Sequence, residues 1–359
     1  MRGLAHWRHD GAVNTWALVT AIVTVAVGVS GCAANTTSQT ATAPDRAAVR
    51  ACAITDTGSI DDRTINQSTW EGFQRAQTEL GVDISYLISA TQAEYVPNLA
   101  QSVASGCDVI ITVGAMMAEA TATTARAHPE VDFVAIDAQV SDPPNNLRPV
   151  SFDVGPPSFL AGYLAAATST TGTVGTWGGI DLPPVRALME GFRAGVAHYN
   201  AGHDASVQVL GWDGTQGVFV DSFADPVAGE VVSASQISQG ADVLFPVAGA
   251  SGLGAGVAIQ NSGRGALIWV DTDGYRTTDF GPVIMTSVLK NADRVAFTAI
   301  ADVAAGTFSG GQVTATLANG GVGLAPFHDF DDDISAAVRA ELTTLTDELN
   351  AGRVRVSGP

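Results

Sequence analysis

Lysine is almost missing from this chain. Lys290 stands alone beside sixteen arginines, and these 17 basic residues face 36 Asp and Glu across 359 positions. The resulting formal charge of −19 excludes a nucleic-acid binder that relies on a basic surface. Cysteine is scarce too, occurring only at positions 32, 52 and 107, which excludes a disulfide-dense scaffold and an all-cysteine zinc site. The six histidines (6, 9, 128, 198, 203 and 328) show no metal-binding spacing and offer no obvious base for hydrolysis, so neither a metal nor a catalytic residue is expected. Long apolar runs are limited to Trp16 to Val29, whose 14 residues fall short of the ~20 that span a bilayer as a helix. What the chain does have is core material. With 46% hydrophobic and 15% charged residues it excludes whole-chain disorder, and its length suits about two domains.

Arg2 and Arg8 precede the apolar stretch, which runs into Val29-Ser30-Gly31-Cys32. A charged start, an apolar middle and a small-residue end make a leader peptide over residues 1–31. The Val-Ser-Gly-Cys ending resembles a bacterial lipobox, which implies a lipid on Cys32; an ordinary secretory leader with an incidental cysteine is the alternative. Residues 32–47, rich in Thr and Ala, read as a flexible tether.

Beyond the tether, short β-branched runs predict strands at Val49 to Ile54, Val82 to Leu87, Asp108 to Val113, Asp132 to Ile136 and Arg148 to Phe152. Helices between them carry apolar residues at helical spacing, such as Tyr95, Leu99 and Val103, and are closed by Gly81 and Gly106. A second series runs through Thr173 to Trp177, Val207 to Trp212, Asp242 to Val247 and Ala266 to Val270, with helices starting at Pro184, Pro226 and Leu253. Alternation of this kind implies parallel sheets covered by helices, hence an α/β protein of two doubly wound, Rossmann-like lobes. The expected division assigns 48–153 and 276–308 to lobe 1, and 154–275 and 309–359 to lobe 2, with the repeated crossings acting as a hinge.

Ligands of such sheets bind beyond the carboxyl ends of the strands. There the sequence places Asp56, Asp61, Asp62, Asp137, Asp271 and Asp273, with Gly114 and Gly249 after two other strands. Acceptors together with close-approach glycines suit an uncharged, polyhydroxylated ligand. The run Gly249 to Gly256 imitates a dinucleotide fingerprint but lacks a strict G-x-G-x-x-G, so no cofactor is expected. The carboxylates Asp329 and Asp331 to Asp333 lack the glycine and closing Glu of a calcium loop and read as a solvated helix start.

The stretch DTGSIDDRTINQSTWEGF at Asp56 to Phe73 resembles the signature of the basic membrane protein family, the PnrA-like nucleoside-binding lipoproteins of ABC importers. The likeness recurs in order at Val134 to Ala138, Ser222 to Gly229, Gln239 to Gly254, Trp269 to Asp273 and Thr286 to Asn291. It implies a type I periplasmic-binding-protein fold that closes on a purine nucleoside of the guanosine, inosine or adenosine class and delivers it to permease subunits. By the same resemblance Trp70 and Phe223 sandwich the base, while Asp61 or Asp62, Asn66, Asp137, Asp271 or Asp273, and Lys290 bind ribose and base, with Gly249 allowing backbone approach. Departures touch base selectivity: Ile65 stands where relatives usually carry Phe, and Met116-Met117-Ala118 replaces a loop that can offer Asn to the base. A sugar receptor on the same fold and a nucleoside-acting enzyme are the rival readings. For Cys52 and Cys107 two readings stand side by side, a disulfide within lobe 1 or two buried thiols.

Overall fold

The computed structural model describes residues 48–356. The leader, Cys32 and the 32–47 tether lie outside them. The first sheet contains β1 (Arg50–Ile54), β2 (Asp83–Leu87), β3 (Val109–Val113), β4 (Asp132–Ile136) and β5 (Leu147–Phe152), with helices α1 (Ile65–Leu80), α2 (Tyr95–Ala104) and α3 (Ala118–Ala127) between them. After α4 (Gly155–Thr168), the second sheet is built from β6 (Thr173–Gly178), β7 (Gln208–Leu210), β8 (Val243–Val247), β9 (Ala266–Asp271) and β10 (Ile284–Lys290). Its connections are α5 (Pro183–His203), α6 (Pro226–Ser238), α7 (Leu253–Ser262) and the short α8 (Gly274–Thr277). The chain ends with α9 (Ala292–Ala305), β11 (Val313–Ala315), β12 (Val322–Leu324) and α10 (Ala336–Asn350).

Strand order is β11-β5-β4-β3-β1-β2 in the first sheet and β12-β10-β9-β8-β6-β7 in the second. Every pairing is parallel except β10 with β12. Because helices cover both faces, the central strands are apolar throughout rather than alternating: all five residues of β3 (VIITV) and of β8 (VLFPV) are buried. Gly81 closes α1 in left-handed backbone, with φ 68°, and its N–H bonds the Gln77 carbonyl.

Two parts of the expected division need correction. Strand β10 pairs with β9 and belongs to lobe 2, although residues 276–308 were expected in lobe 1. Conversely β11 pairs with β5 in lobe 1, although residues 309–359 were expected in lobe 2. The cause is lateral hydrogen bonding: neither the buried β10 nor the three-residue, mostly exposed β11 marks its own sheet, and its neighbour decides. Helix α9 does pack in lobe 1, where Asp293 accommodates the bare backbone of Gly72 on α1.

The chain therefore crosses between lobes three times, after β5, after β10 and after β11. The crossings bond one another. Asp153 N–H donates to the Ala315 carbonyl at 2.8 Å, and Asn291 N–H donates to the Gly321 carbonyl at 3.0 Å. In lobe 1, Cys52 on β1 and Cys107 ahead of β3 form a disulfide, with Cα atoms 6.0 Å apart. Among the described residues no helix is long and apolar enough to cross a membrane.

Candidate functional site

The carboxyl ends of both sheets face one cleft of about 720 Å³, counting its open mouth. Lobe 1 contributes the β1–α1 loop. Asp62 accepts from the backbone N–H of Thr64 (2.8 Å) and Gln67 (3.1 Å), which begin α1, so its charge meets free donors at a helix start. Asn66 Nδ2 donates to both Asp62 Oδ2 (2.9 Å) and Asp56 Oδ1 (3.2 Å). With the amide nitrogen committed to two carboxylates, Asn66 presents its oxygen, which is buried and accepts no hydrogen bond in the protein. Behind Asp56, Gly114 has no room for a side chain: a Cβ there would sit 2.3 Å from Asp56 Oδ2.

Lobe 2 contributes the cation. Lys290 closes β10, is 4% exposed, and bonds Asp137 Oδ2 of lobe 1 at 2.7 Å. Its ammonium also lies 3.3 Å from Asp271 Oδ1, a buried oxygen with no hydrogen bond of its own. Asp137 follows β4 and Asp271 closes β9, both in left-handed backbone, with φ 59° and 68°, a conformation that Asp tolerates better than most residues. It turns both carboxylates toward one ammonium.

Burial dominates the electrostatics. It pushes Asp56 up to about 6, with the bond from Asn66 pulling the other way. It likewise raises Asp271 to about 6 against the pull of Lys290, and raises Asp62 against its backbone donors. Burial alone would lower the Lys290 ammonium, but Asp137 and Asp271 more than offset this and hold it above the ordinary lysine value.

Of the residues expected at the site, the structure brings Asp62, Asn66, Met116, Asp137, Phe223, Gly249, Asp271 and Lys290 to the cleft wall. Gly249, at φ 56°, also backs Phe223: a Cβ there would lie 3.0 Å from the Phe223 carbonyl. Three expected residues sit elsewhere. Asp61 is exposed and does not line the cleft. Trp70 packs against Phe73 and Tyr86, at centroid distances of 5.6 and 5.1 Å, because it lies more than a turn beyond the cleft end of α1. Its place on the first-lobe wall is taken by Ile65. Asp273 accepts from His328 Nε2 at 2.9 Å and pairs with Arg276, away from the cleft. The cleft is also lined by Asp56, which the strand-end rule placed there but the family resemblance did not, and by an apolar wall of Leu182, Pro184, Val185 and Leu188 at the start of α5, which sequence reasoning did not single out. The rule about strand ends reaches both. Among the described residues no cluster of His, Cys, Asp and Glu is arranged to hold a metal ion.

Comparison with known proteins agrees with this geometry. The model of the family described as ABC transporter substrate-binding protein PnrA-like matches residues 49–350. The chain belongs to this family. Among relatives of this PnrA-like protein, the CD4+ T-cell-stimulating antigen of Listeria monocytogenes is 30% identical, with 84% of this chain and 86% of the antigen covered. The ABC transporter nucleoside-binding protein BmpA of Lactococcus lactis is 27% identical over 92% of this chain and 96% of its own. Among solved structures, an ABC transporter solute-binding protein from Aeropyrum pernix superposes with a TM-score of 0.79 at 24% identity, covering 87% of this chain and 94% of the other. A sugar-binding protein of a Bacillus halodurans sugar ABC transporter gives 0.55 at 16% identity, covering 79% and 99%. At these identities the structures speak to the fold alone, which is the type I periplasmic-binding-protein fold.

Proposed function

We propose that this protein is the extracytoplasmic receptor of an ABC importer, which captures a purine nucleoside between its lobes and hands it to permease subunits. The observation that carries the reading is the imbalance of the cleft wall: Asp56, Asp62, Asp137, Asp271 and the free oxygen of Asn66 accept, while Lys290 is the only charged donor among the lining side chains. Such a wall selects a ligand that is rich in donors yet uncharged, since an anion would meet several carboxylates. Ribose hydroxyls and a purine's N–H groups meet that description. In this reading Asp271 and Lys290 hold the ribose, with Asp137 completing the ion pair. The Phe223 ring takes one face of the base, Ile65 the other, and Asp56 with Asn66 accept from its edge. The relative named as nucleoside-binding supports the ligand class.

As a receptor the protein returns its ligand unchanged, so inosine or adenosine left with it for hours comes back intact. The lipobox-like ending at Cys32 supports anchoring by lipid to the outer face of the cell membrane, and Cys32→Ser would release the mature protein from the membrane fraction or leave it uncleaved. The deciding measurement is thermal unfolding with guanosine, inosine, adenosine and free sugars. A nucleoside at ~100 times its Kd stabilises by about 2.7 kcal/mol, several degrees of melting temperature. A shift with a free sugar and none with any nucleoside would overturn the assignment.

A further inference from the structure

At the cleft mouth the lobes meet through atoms that take no part in the acceptor wall. Arg63, at the tip of the β1–α1 loop, is exposed and held in left-handed backbone, with φ 64°. Its carbonyl oxygen points into lobe 2, where it accepts from Thr272 Oγ1 at 2.6 Å and from Trp269 Nε1 at 3.1 Å. Its guanidinium donates to the Thr277 carbonyl at 3.0 Å. A second threonine steadies the first, with Thr272 Oγ1 and Thr277 Oγ1 3.0 Å apart.

The position of these contacts gives them their meaning. Asp62 and Thr64, on either side of Arg63, line the cleft, and so does Asp271, the residue before Thr272. One carbonyl therefore ties the loop that carries the lobe 1 acceptors to the turn that carries the lobe 2 carboxylate. Two donors fill both lone pairs of that oxygen. Left-handed backbone is uncommon for arginine, so the loop holds a conformation that these contacts help to keep. Trp269 is fully buried on β9, packed on Gly274 and Gly252, which fixes the direction of its indole N–H.

We propose that Thr272 and Trp269 are positioning residues that clasp the two lobes through the Arg63 carbonyl and hold the cleft shut over its ligand. The proposal rests on the reading of this cleft as the ligand site. It requires that the clasp govern how long a ligand stays, and not merely how stable the fold is.

The test compares Thr272→Val, which keeps the shape and loses the hydroxyl, with Thr272→Ser, which keeps the hydroxyl. Dissociation of the tightest-binding of guanosine, inosine and adenosine is followed by stopped-flow tryptophan fluorescence, and the radius of gyration of the ligand-free protein is measured by small-angle X-ray scattering. Thr272→Val is expected to release the nucleoside about tenfold faster, the worth of roughly one good hydrogen bond, with Thr272→Ser within about twofold of wild type. Equal rates for Thr272→Val and wild type, or equal acceleration in both variants, would overturn the clasp. If wild type binds no nucleoside, the proposed function falls by itself and the scattering decides the clasp. A larger radius in Thr272→Val, restored in Thr272→Ser, upholds it, and identical radii refute it.

Discussion

The two sheets are nearly the same object, with matching strand order and parallel centres, but the loops at their carboxyl ends have unlike chemistry. Lobe 1 presents acceptors: Asp56, Asp62, Asp137 and the Asn66 oxygen, with Asp56 and Asp62 bridged by the Asn66 amide nitrogen. Lobe 2 presents an ammonium, one carboxylate, a phenyl ring and the aliphatic start of α5. Doubly wound topology supplies positions at strand ends, and the residues placed there supply the function. Separating the acceptors from the cation also makes the site conditional, because the Asp137–Lys290 pair exists only while the lobes are together.

The largest expected break in the symmetry is in stability. Only lobe 1 contains the disulfide, which closes a loop spanning 55 positions. Replacing both Cys52 and Cys107 with alanine should cost about 4 kcal/mol in the chain-entropy view. Urea unfolding followed by hydrogen exchange should show the loss concentrated in β1 and β3, and a loss shared equally by β8 and β9 would contradict the assignment. Next in size is the lobe 2 cation. Lys290→Met should weaken nucleoside binding by about 1.5 to 3 kcal/mol and lower the melting temperature, since Asp137 and Asp271 lose their common partner. Lys290→Arg should not restore affinity, because a planar guanidinium does not fit a pocket built for a compact ammonium. Calorimetric affinities unchanged in both variants would remove Lys290 from the site.

pH acts on both halves through one buried carboxyl in each. A carboxyl raised by the fold adds stability that is fully present below its unfolded value and is lost as pH rises through its folded value. For Asp56 and Asp271 that window runs from 3.8 to about 6. A ligand hydroxyl donating to these groups needs them ionised, so affinity runs the opposite way and falls as pH drops below about 6. The ligand-free melting temperature should therefore gain from these groups toward pH 5 while affinity declines. Asp56→Asn should flatten the lobe 1 share of both trends and Asp271→Asn the lobe 2 share; profiles identical to wild type in both variants would exclude these carboxylates. The smallest effect sharpens the aromatic contrast. Ile65→Phe gives lobe 1 a ring to face Phe223 and should tighten purine binding by about 0.5 to 1.5 kcal/mol. Looser binding of every purine would mean that the base does not lie between these walls.

Where the sequence could be read, it was read through local pattern. Most strands through Asp271 were visible as β-branched runs leading into Asp or Gly, β2 being the exception. Helix α4 was not: ten of its fourteen residues are buried, so it shows no stripe of helical period. Strands β11 and β12 have three residues each and are defined by the strand beside them. The site followed the same rule. Asp137, Asp271 and Lys290 are marked by position at strand ends, whereas choosing Ile65 over Trp70 needs the rotation of α1 against the cleft, which only packing sets. Asp273 and Asp271 differ by two residues, and the turn between them sends one carboxylate to His328 and the other to Lys290.

The threefold crossing has a consequence for the order in which the protein can be built. As the chain emerges from its N-terminus, β5 remains an open sheet edge, and α1 lacks its helical cover, until α9 and β11 arrive more than 130 residues after β5 ends. Lobe 2 is almost complete before lobe 1 can close, although lobe 1 begins first. A nascent or truncated chain that stops before Ala315 therefore carries an unfinished first sheet with an exposed edge, the kind of surface that invites pairing with another chain.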